Sequence, residues 1–276
     1  MERIFKGLRH SGIKVVEVSG GEPFLRKDIF EVLSLLDRLG FLFTVTSNGT
    51  VLSGALLEKL NGLSGLLQIG ISIDTLDRDL YARLRGADML PAVLAGLDAI
   101  RAGDLSFPLK INFTMSRFNY PETLPLLDFA GQRSLFLSVF PVNQGGGFLH
   151  RSDDPSLAPV ARERAAMSEI FRTLARLRRA GEPLWEYSGF YDLSADYVLG
   201  RPVGPCDAGS LYLDLHADGT LAVCIDQEGF ADLLREDVAG ALERVAAQRG
   251  KITACAAGSP CCYTCTYNLS VTADHI

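Results

Sequence analysis

The chain has 276 residues, 47% hydrophobic and 22% charged, and its 27 Lys and Arg against 33 Asp and Glu give a formal charge of −6. This is the composition of a globular chain long enough for one large domain or two small ones. It excludes a disordered chain and a nucleic-acid binder that works through bulk positive charge. The start, Met1-Glu2-Arg3-Ile4-Phe5-Lys6, lacks the apolar core of a signal peptide. No apolar run approaches the roughly 18–20 residues that span a bilayer. A soluble, cytoplasmic protein is the expectation.

In chain order, residues 1–10 read as the end of a helix that feeds a first strand. Short apolar, β-branched runs follow at 14–18, 43–46, 67–73, 109–114 and 135–140. They are apolar on both faces or nearly so, as in a sheet covered on both sides. Between them, Ile29, Val32, Leu33, Leu36 and Leu39 recur at helical spacing. Leu56, Leu57 and Leu60 do the same, as do Val93, Leu94, Leu97 and Ile100, with a shorter piece at Leu124, Leu127 and Phe129. This β-α-β-α order predicts an α/β fold with five parallel strands and right-handed crossovers. Parallel α/β architectures rarely open on a helix.

Residues 141–158 form a connector containing Gly145-Gly146-Gly147, which no Lys-Ser/Thr follows, so it is not a phosphate-binding P-loop. A long helix follows, with Met167, Ile170, Phe171, Leu174 and Leu177 on one face. From about residue 200 the pattern changes. Two alternating runs, 211–216 and 220–225, flank Ala217-Asp218-Gly219 and predict a hairpin. Residues 239–247 are helical. The boundaries are a first domain over 1–200 and a small α+β, cysteine-rich domain over 201–276.

Polar residues cluster where the strands end, the edge that carries the active sites of parallel α/β proteins. Ser19-Gly20-Gly21-Glu22-Pro23 follows the first strand. Its paired glycines allow a ligand to approach the backbone, and Glu22 can accept hydrogen bonds from an ammonium group. Asn48 follows the second strand, Ser72 and Asp74 end the third, and Asn112 lies in the fourth. Asp74 and Asn48 can hold the hydroxyls of a sugar, and Arg85 can meet a carboxylate bidentately. Helix capping accounts for Ser47 and Ser116.

All six cysteines lie in the last 71 residues: Cys206, Cys224, Cys255, Cys261, Cys262 and Cys265. Clustered thiols in a reducing compartment point to a metal site and away from disulfides. The hairpin brings Cys206 and Cys224 together, and Cys262-Tyr-Thr-Cys265 is a C-x2-C knuckle. Four thiolates suit a [4Fe–4S] cluster or structural zinc. A second register through Cys255 and Cys261 leaves the fourth ligand open beside Cys262.

Together these residues resemble the radical SAM superfamily, in its members with a C-terminal SPASM or twitch domain. Ser19–Pro23 looks like that family's GGEP motif, which holds the amino group of S-adenosylmethionine. Ser72-Ile73-Asp74 resembles the strand motif near the ribose, and Leu84-Arg85-Gly86 a common continuation. Cys206-x12-Gly219-x4-Cys224 matches the opening of the auxiliary domain, and the six cysteines suit the one-cluster twitch form.

The resemblance implies a partial (β/α)6 TIM-like barrel lacking its first strand. Gly20, Gly21, Glu22, Pro23, Asn48, Ser72, Asp74, Arg85 and Asn112 would hold S-adenosylmethionine. Cys206, Cys224, Cys262 and Cys265 would hold an auxiliary [4Fe–4S] cluster. In complete form such an enzyme reductively cleaves S-adenosylmethionine, and the 5′-deoxyadenosyl radical takes hydrogen from a peptide or small-molecule substrate. A flavodoxin or ferredoxin would donate the electron. The family's C-x3-C-x2-C loop is absent, since residues 1–205 contain no cysteine. The expectation is a chain lacking its first βα unit, with an open edge on the strand at 14–18. A pseudoenzyme, a structural metal-binding module and a thiol-redox protein are the alternatives.

Overall fold

The computed structural model describes residues 1–98, 105–142, 155–201, 203, 207–225 and 227–248. Helix α1 (Glu2–His10) precedes strand β1 (Val15–Val18). Then α2 (Ile29–Arg38), β2 (Leu42–Ser47), α3 (Gly54–Asn61) and β3 (Leu66–Ser72) alternate. Helices α4 (Arg78–Arg85) and α5 (Leu90–Asp98) lead to β4 (Leu109–Met115), and α6 (Thr123–Gln132) to β5 (Phe136–Pro141). The sheet runs β1-β2-β3-β4-β5 with every neighbouring pair parallel. All five strands expected from the sequence form.

Helix α7 (Ala161–Arg179) then returns the chain to the edge of β5. There Leu184 makes a parallel bridge to Leu137, the Leu137 N–H donating to the Pro183 carbonyl and the Trp185 N–H to that of Leu137, both at 2.8 Å. This contact continues the barrel one position beyond β5. Helix α8 (Ser188–Val198) packs against α7. Neither the bridge nor α4 was legible in the sequence. A single bridging residue makes no periodic run, and α4 buries only Tyr81 among polar neighbours. At the other side β1 is paired by β2 alone among the described residues, so the expected open edge is present, with Val15 exposed on it.

The two faces of the sheet differ, which corrects the expectation of apolar cover on both. Phe43, Val45, Ile69, Ile71, Ile111, Phe113, Leu137 and Val139 are fully buried on the helix-covered face, against Leu33, Leu36, Leu60 and Leu126. Each such side chain stabilises the fold by about 1.5–3 kcal/mol. The alternate residues form a polar inner face: Glu17, Thr44, Thr46, Gln68, Ser72, Lys110, Asn112, Thr114 and Ser138. The one-residue alternation of a strand imposes this division.

The described part of the C-terminal region is a three-stranded antiparallel sheet of β6 (Asp214–Leu215), β7 (Thr220–Ala222) and β8 (Ala231–Asp232), followed by α9 (Val238–Glu243). The expected hairpin is present. Its turn needs Gly219, whose φ is +88° and where a Cβ would lie 2.6 Å from Leu234 Cγ. Arg3 ties α1 to this region by donating to the carbonyls of Leu233, Leu234 (3.2 Å) and Glu236 (2.9 Å). Gly7 lets α1 lie against Val238, where a Cβ would approach Val238 Cγ2 to 2.7 Å. Among the described residues, no helix is long and apolar enough to cross a membrane.

Candidate functional site

The loop after β1 and the end of β2 are joined by one carboxylate. Glu22 accepts from the Phe24 N–H (3.1 Å) and from Ser47 Oγ (2.9 Å) through Oε1, and from the Asn48 N–H (2.6 Å) through Oε2. Its first role is therefore to cap the turn Pro23–Leu25 and to fix the loop. A carboxylate has about four lone-pair sites, so one direction remains for an ammonium ligand. Gly20 has φ +134°, and a Cβ at Gly20 or Gly21 would meet nothing within 4 Å. The loop thus borders open space. Asn48 spends its Oδ1 on the N–H (2.9 Å) and Oγ1 (2.7 Å) of Thr50, which leaves its Nδ2 end for a ligand hydroxyl.

At the end of β3 the structure brings Asp74 and Arg85 together. Asp74 Oδ2 meets Arg85 Nη2 at 2.5 Å, and Oδ1 accepts from the Thr114 N–H at 2.8 Å. The two residues act as a pair, and the sequence had suggested separate partners for them. Arg85 Nε is buried without a partner, as is Asn112 Oδ1. Asn112 stands beside Ser72 across the β3–β4 pair and lies over Gly70, where a Cβ would come within 2.3 Å of its Nδ2. These unsatisfied atoms, with the open space at Gly20 and Gly21, fit a polar ligand bearing an amino group, hydroxyls and a carboxylate.

A buried staple supports the rim. Asn119 is fully buried. Its Oδ1 accepts from the Ser116 N–H (2.7 Å) and Oγ (3.0 Å), and its Nδ2 donates to the carbonyls of Asp74 (2.8 Å) and Thr114 (2.9 Å). Glu122 similarly takes Thr75 Oγ1 and the Leu76 N–H.

Sequence reading missed a second polar group, on the inner face. Glu186 is almost fully buried; Ser138 Oγ and Tyr191 OH (2.7 Å) both donate to it. Burial pushes its carboxyl above the ordinary range, and burial likewise pushes Lys110 on β4 below the ordinary lysine value, against the opposing charges of Glu186 and Glu17. Lys110 also faces the Trp185 ring at 5.1 Å. The available signal was a lysine at a period-two position with Asn112 and Thr114 inside an otherwise apolar run.

Of the cysteines, Cys224 lies two residues after the end of β7 and is half-buried. Cys206, Cys255, Cys261, Cys262 and Cys265 lie outside the described residues. Among the described residues no group of three or more His, Cys, Asp or Glu could hold a metal ion.

The sequence matches the Radical SAM superfamily over residues 1–130. A probable GTP 3′,8-cyclase of Sulfurisphaera tokodaii is 30% identical over 237 residues, which is 82% of this chain and 72% of that protein. A probable GTP 3′,8-cyclase of Pyrococcus abyssi is 36% identical over 143 residues, or 51% of this chain and 45% of that one. The alignment thus spans less than half the length of the Pyrococcus relative. Two solved structures share the fold. Streptococcus suis SuiB bound to S-adenosylmethionine has a TM-score of 0.61 at 16% identity, covering 87% of this chain and 56% of that one. Native anSMEcpe with bound AdoMet has a TM-score of 0.63 at 13% identity, covering 88% and 70%. Strand order, the glycine-glutamate loop and these likenesses agree: the chain belongs to the radical SAM superfamily.

Proposed function

We propose that residues 1–200 form an S-adenosylmethionine-binding partial barrel of a cytoplasmic radical SAM enzyme, and that residues 201–276 form a SPASM/twitch-like auxiliary domain. The observation that carries the reading is the loop at Gly20 and Gly21, open to a ligand and fixed by Glu22 to the end of β2. In this reading Glu22 and the Gly20–Gly21 backbone hold the amino group. Asn48, Ser72 and the Asp74–Arg85 pair meet the ribose and carboxylate, and Asn112 closes the inner side. When bound and reduced, S-adenosylmethionine supplies a radical able to take hydrogen from a substrate. The protein's own work is to bind, orient and exclude water.

Residues 1–205 contain no cysteine, so this stretch does not supply thiolates for the cluster that performs that reduction, and no step is derived through it. Cys206, Cys224, Cys262 and Cys265 would hold an auxiliary [4Fe–4S] cluster, with a flavodoxin or ferredoxin as electron donor. The hairpin before Cys224 supports this placement. Iron and sulfide analysis after anaerobic reconstitution tests it, and stoichiometric zinc without iron would overturn it.

The binding test uses Gly21→Val. A Cβ at this position meets nothing, so the fold tolerates it, whereas the branched side chain fills the ligand's space. Equilibrium dialysis should show S-adenosylmethionine binding weakened at least about tenfold, equivalent to 1.4 kcal/mol. Gly54→Val, at an equally open glycine at the start of α3, should bind normally. Equal binding by the native chain and Gly21→Val would overturn the assignment. The relatives support a second reading, cyclisation of GTP, because the Sulfurisphaera alignment covers most of both chains.

A further inference from the structure

The inner face of the sheet changes character along the strands. Towards their C-terminal ends it is polar, and at their N-terminal ends it turns apolar. Val15 pairs with Leu42, and Phe136 with Lys110, so these three apolar residues share the inner face with Glu17, Thr44 and Ser138. Leu67 is the extra residue where the β2–β3 register shifts, next to Gln68. Val15 (51%), Leu42 (44%), Leu67 (41%) and Phe136 (36%) are all exposed. The half-buried Trp185 ring meets Phe136 edge-on at 5.4 Å. Single exposed apolar residues need no explanation, but a group at the same end of four strands does.

Two buried polar side chains border this apolar end. Lys110 and Gln68 are each more than nine-tenths buried. Gly70 pairs with Lys110, so Gln68 lies one strand across and two residues back, about 8 Å away between Cα atoms. Gln68 Oε1 has no hydrogen-bond partner. Lys110 is balanced by Glu186 and Glu17 through charge alone, with no hydrogen bond to either, so its N–H groups still lack an acceptor among the described residues. Lys110 thus asks for an acceptor and Gln68 for a donor, and a peptide chain supplies a C=O and an N–H at nearly every residue. Peptide units repeat about every 3.8 Å, so a segment of two or three residues reaches both side chains. A further anion is disfavoured, because Glu17 and Glu186 already outnumber Lys110, the one basic residue of the five strands. A triphosphate needs several cations or N–H groups and would meet those carboxylates instead.

We propose that this end of the inner face binds an uncharged, apolar segment of a peptide substrate and does not take a nucleoside triphosphate. The peptide backbone meets Lys110 and Gln68, and an apolar side chain rests on Leu42, Leu67, Phe136 and Trp185. The proposal rests on the radical SAM reading of the same barrel and chooses a peptide over GTP as its substrate.

The test measures binding to the full chain by equilibrium dialysis at fixed ionic strength. The probes are acetyl-Ala-Phe-Ala-amide, acetyl-Ala-Asp-Ala-amide and GTP with Mg2+, with S-adenosylmethionine binding followed in the same samples. The phenylalanine peptide should bind at least about tenfold more tightly than the aspartate peptide and than GTP. Gln68→Leu nearly keeps the side chain's size and removes a buried oxygen that has no partner, so the unfolding temperature should hold or rise. The same variant should weaken the phenylalanine peptide at least about threefold, the loss of one hydrogen bond, and leave S-adenosylmethionine binding unchanged. A merely structural Gln68 would instead lower the unfolding temperature and leave peptide affinity alone. No binding of the phenylalanine peptide, equal binding of the aspartate peptide or of GTP, or peptide binding indifferent to Gln68→Leu would each overturn the proposal. Peptide selectivity without S-adenosylmethionine binding would support this face and overturn the S-adenosylmethionine assignment instead.

Discussion

Replacing Asn119 by alanine should cost more than any other single polar substitution at the rim. The side chain is fully buried and makes four hydrogen bonds, all of 3.0 Å or less, joining the turn after β4 to the end of β3. A buried hydrogen bond contributes about 1 kcal/mol net, and truncation also leaves the Ser116 N–H and hydroxyl unsatisfied in a buried position. Together these predict a loss of about 3–4 kcal/mol. With a urea m-value of about 3 kcal/mol/M, the unfolding midpoint should fall by about 1 M at unchanged slope. Because Asn119 fixes the Asp74 carbonyl, S-adenosylmethionine binding should weaken in parallel. A stability loss below about 1 kcal/mol would show that the loop reorganises at little cost and would refute the staple.

Gly49→Ala should destabilise by about 2–5 kcal/mol, read by thermal unfolding. Its φ of +78° disfavours a side chain by about 1–2 kcal/mol. The new Cβ would also lie 2.7 Å from Ile71 Cγ2 and 3.0 Å from Val93 Cγ1, adding about 1–3 kcal/mol of overpacking. Glu186→Gln should change how stability varies with pH. The folded-state carboxyl of Glu186 titrates above its ordinary 4.5, so the native chain keeps a proton that the unfolded chain releases. That contribution is complete below 4.5 and is lost as pH rises through the raised folded value, by at most about 1.4 kcal/mol per pH unit. The glutamine variant should lack this decline, and urea midpoints falling equally in both proteins between pH 4.5 and 7 would contradict the buried carboxyl.

The elements with strong periodicity were legible in the sequence. The stripe Ile29, Leu33, Leu36 gave α2, and the alternation around Asp218-Gly219 gave the hairpin, because each rests on neighbours within a few residues. The site residues were legible as positions at strand ends, but their partners were not. Glu22 looked like a ligand-facing acid until Ser47 and Asn48 were found holding it from 25 and 26 residues away. Asp74 and Arg85 looked independent until α4 folded the arginine back. Glu186 comes within the electrostatic reach of Lys110 only because α7 returns the chain beside β5, and nothing local in either segment encodes that return. The polar inner face was hidden by the apolar content of the strands, although Lys110, Asn112 and Thr114 share one side of β4.

The Arg3 anchor has a consequence for the chain as it leaves the ribosome. Its three carbonyl acceptors lie 230 to 233 residues further on. At about 5–20 residues per second, translation of that stretch takes roughly 10–50 s. Through that interval α1 can settle its apolar side on Phe41 but has nothing to receive its guanidinium or to cover Gly7. Helix α1 is thus fully docked only long after it is made, and a chaperone acting on the nascent chain would find its exposed side available through that interval.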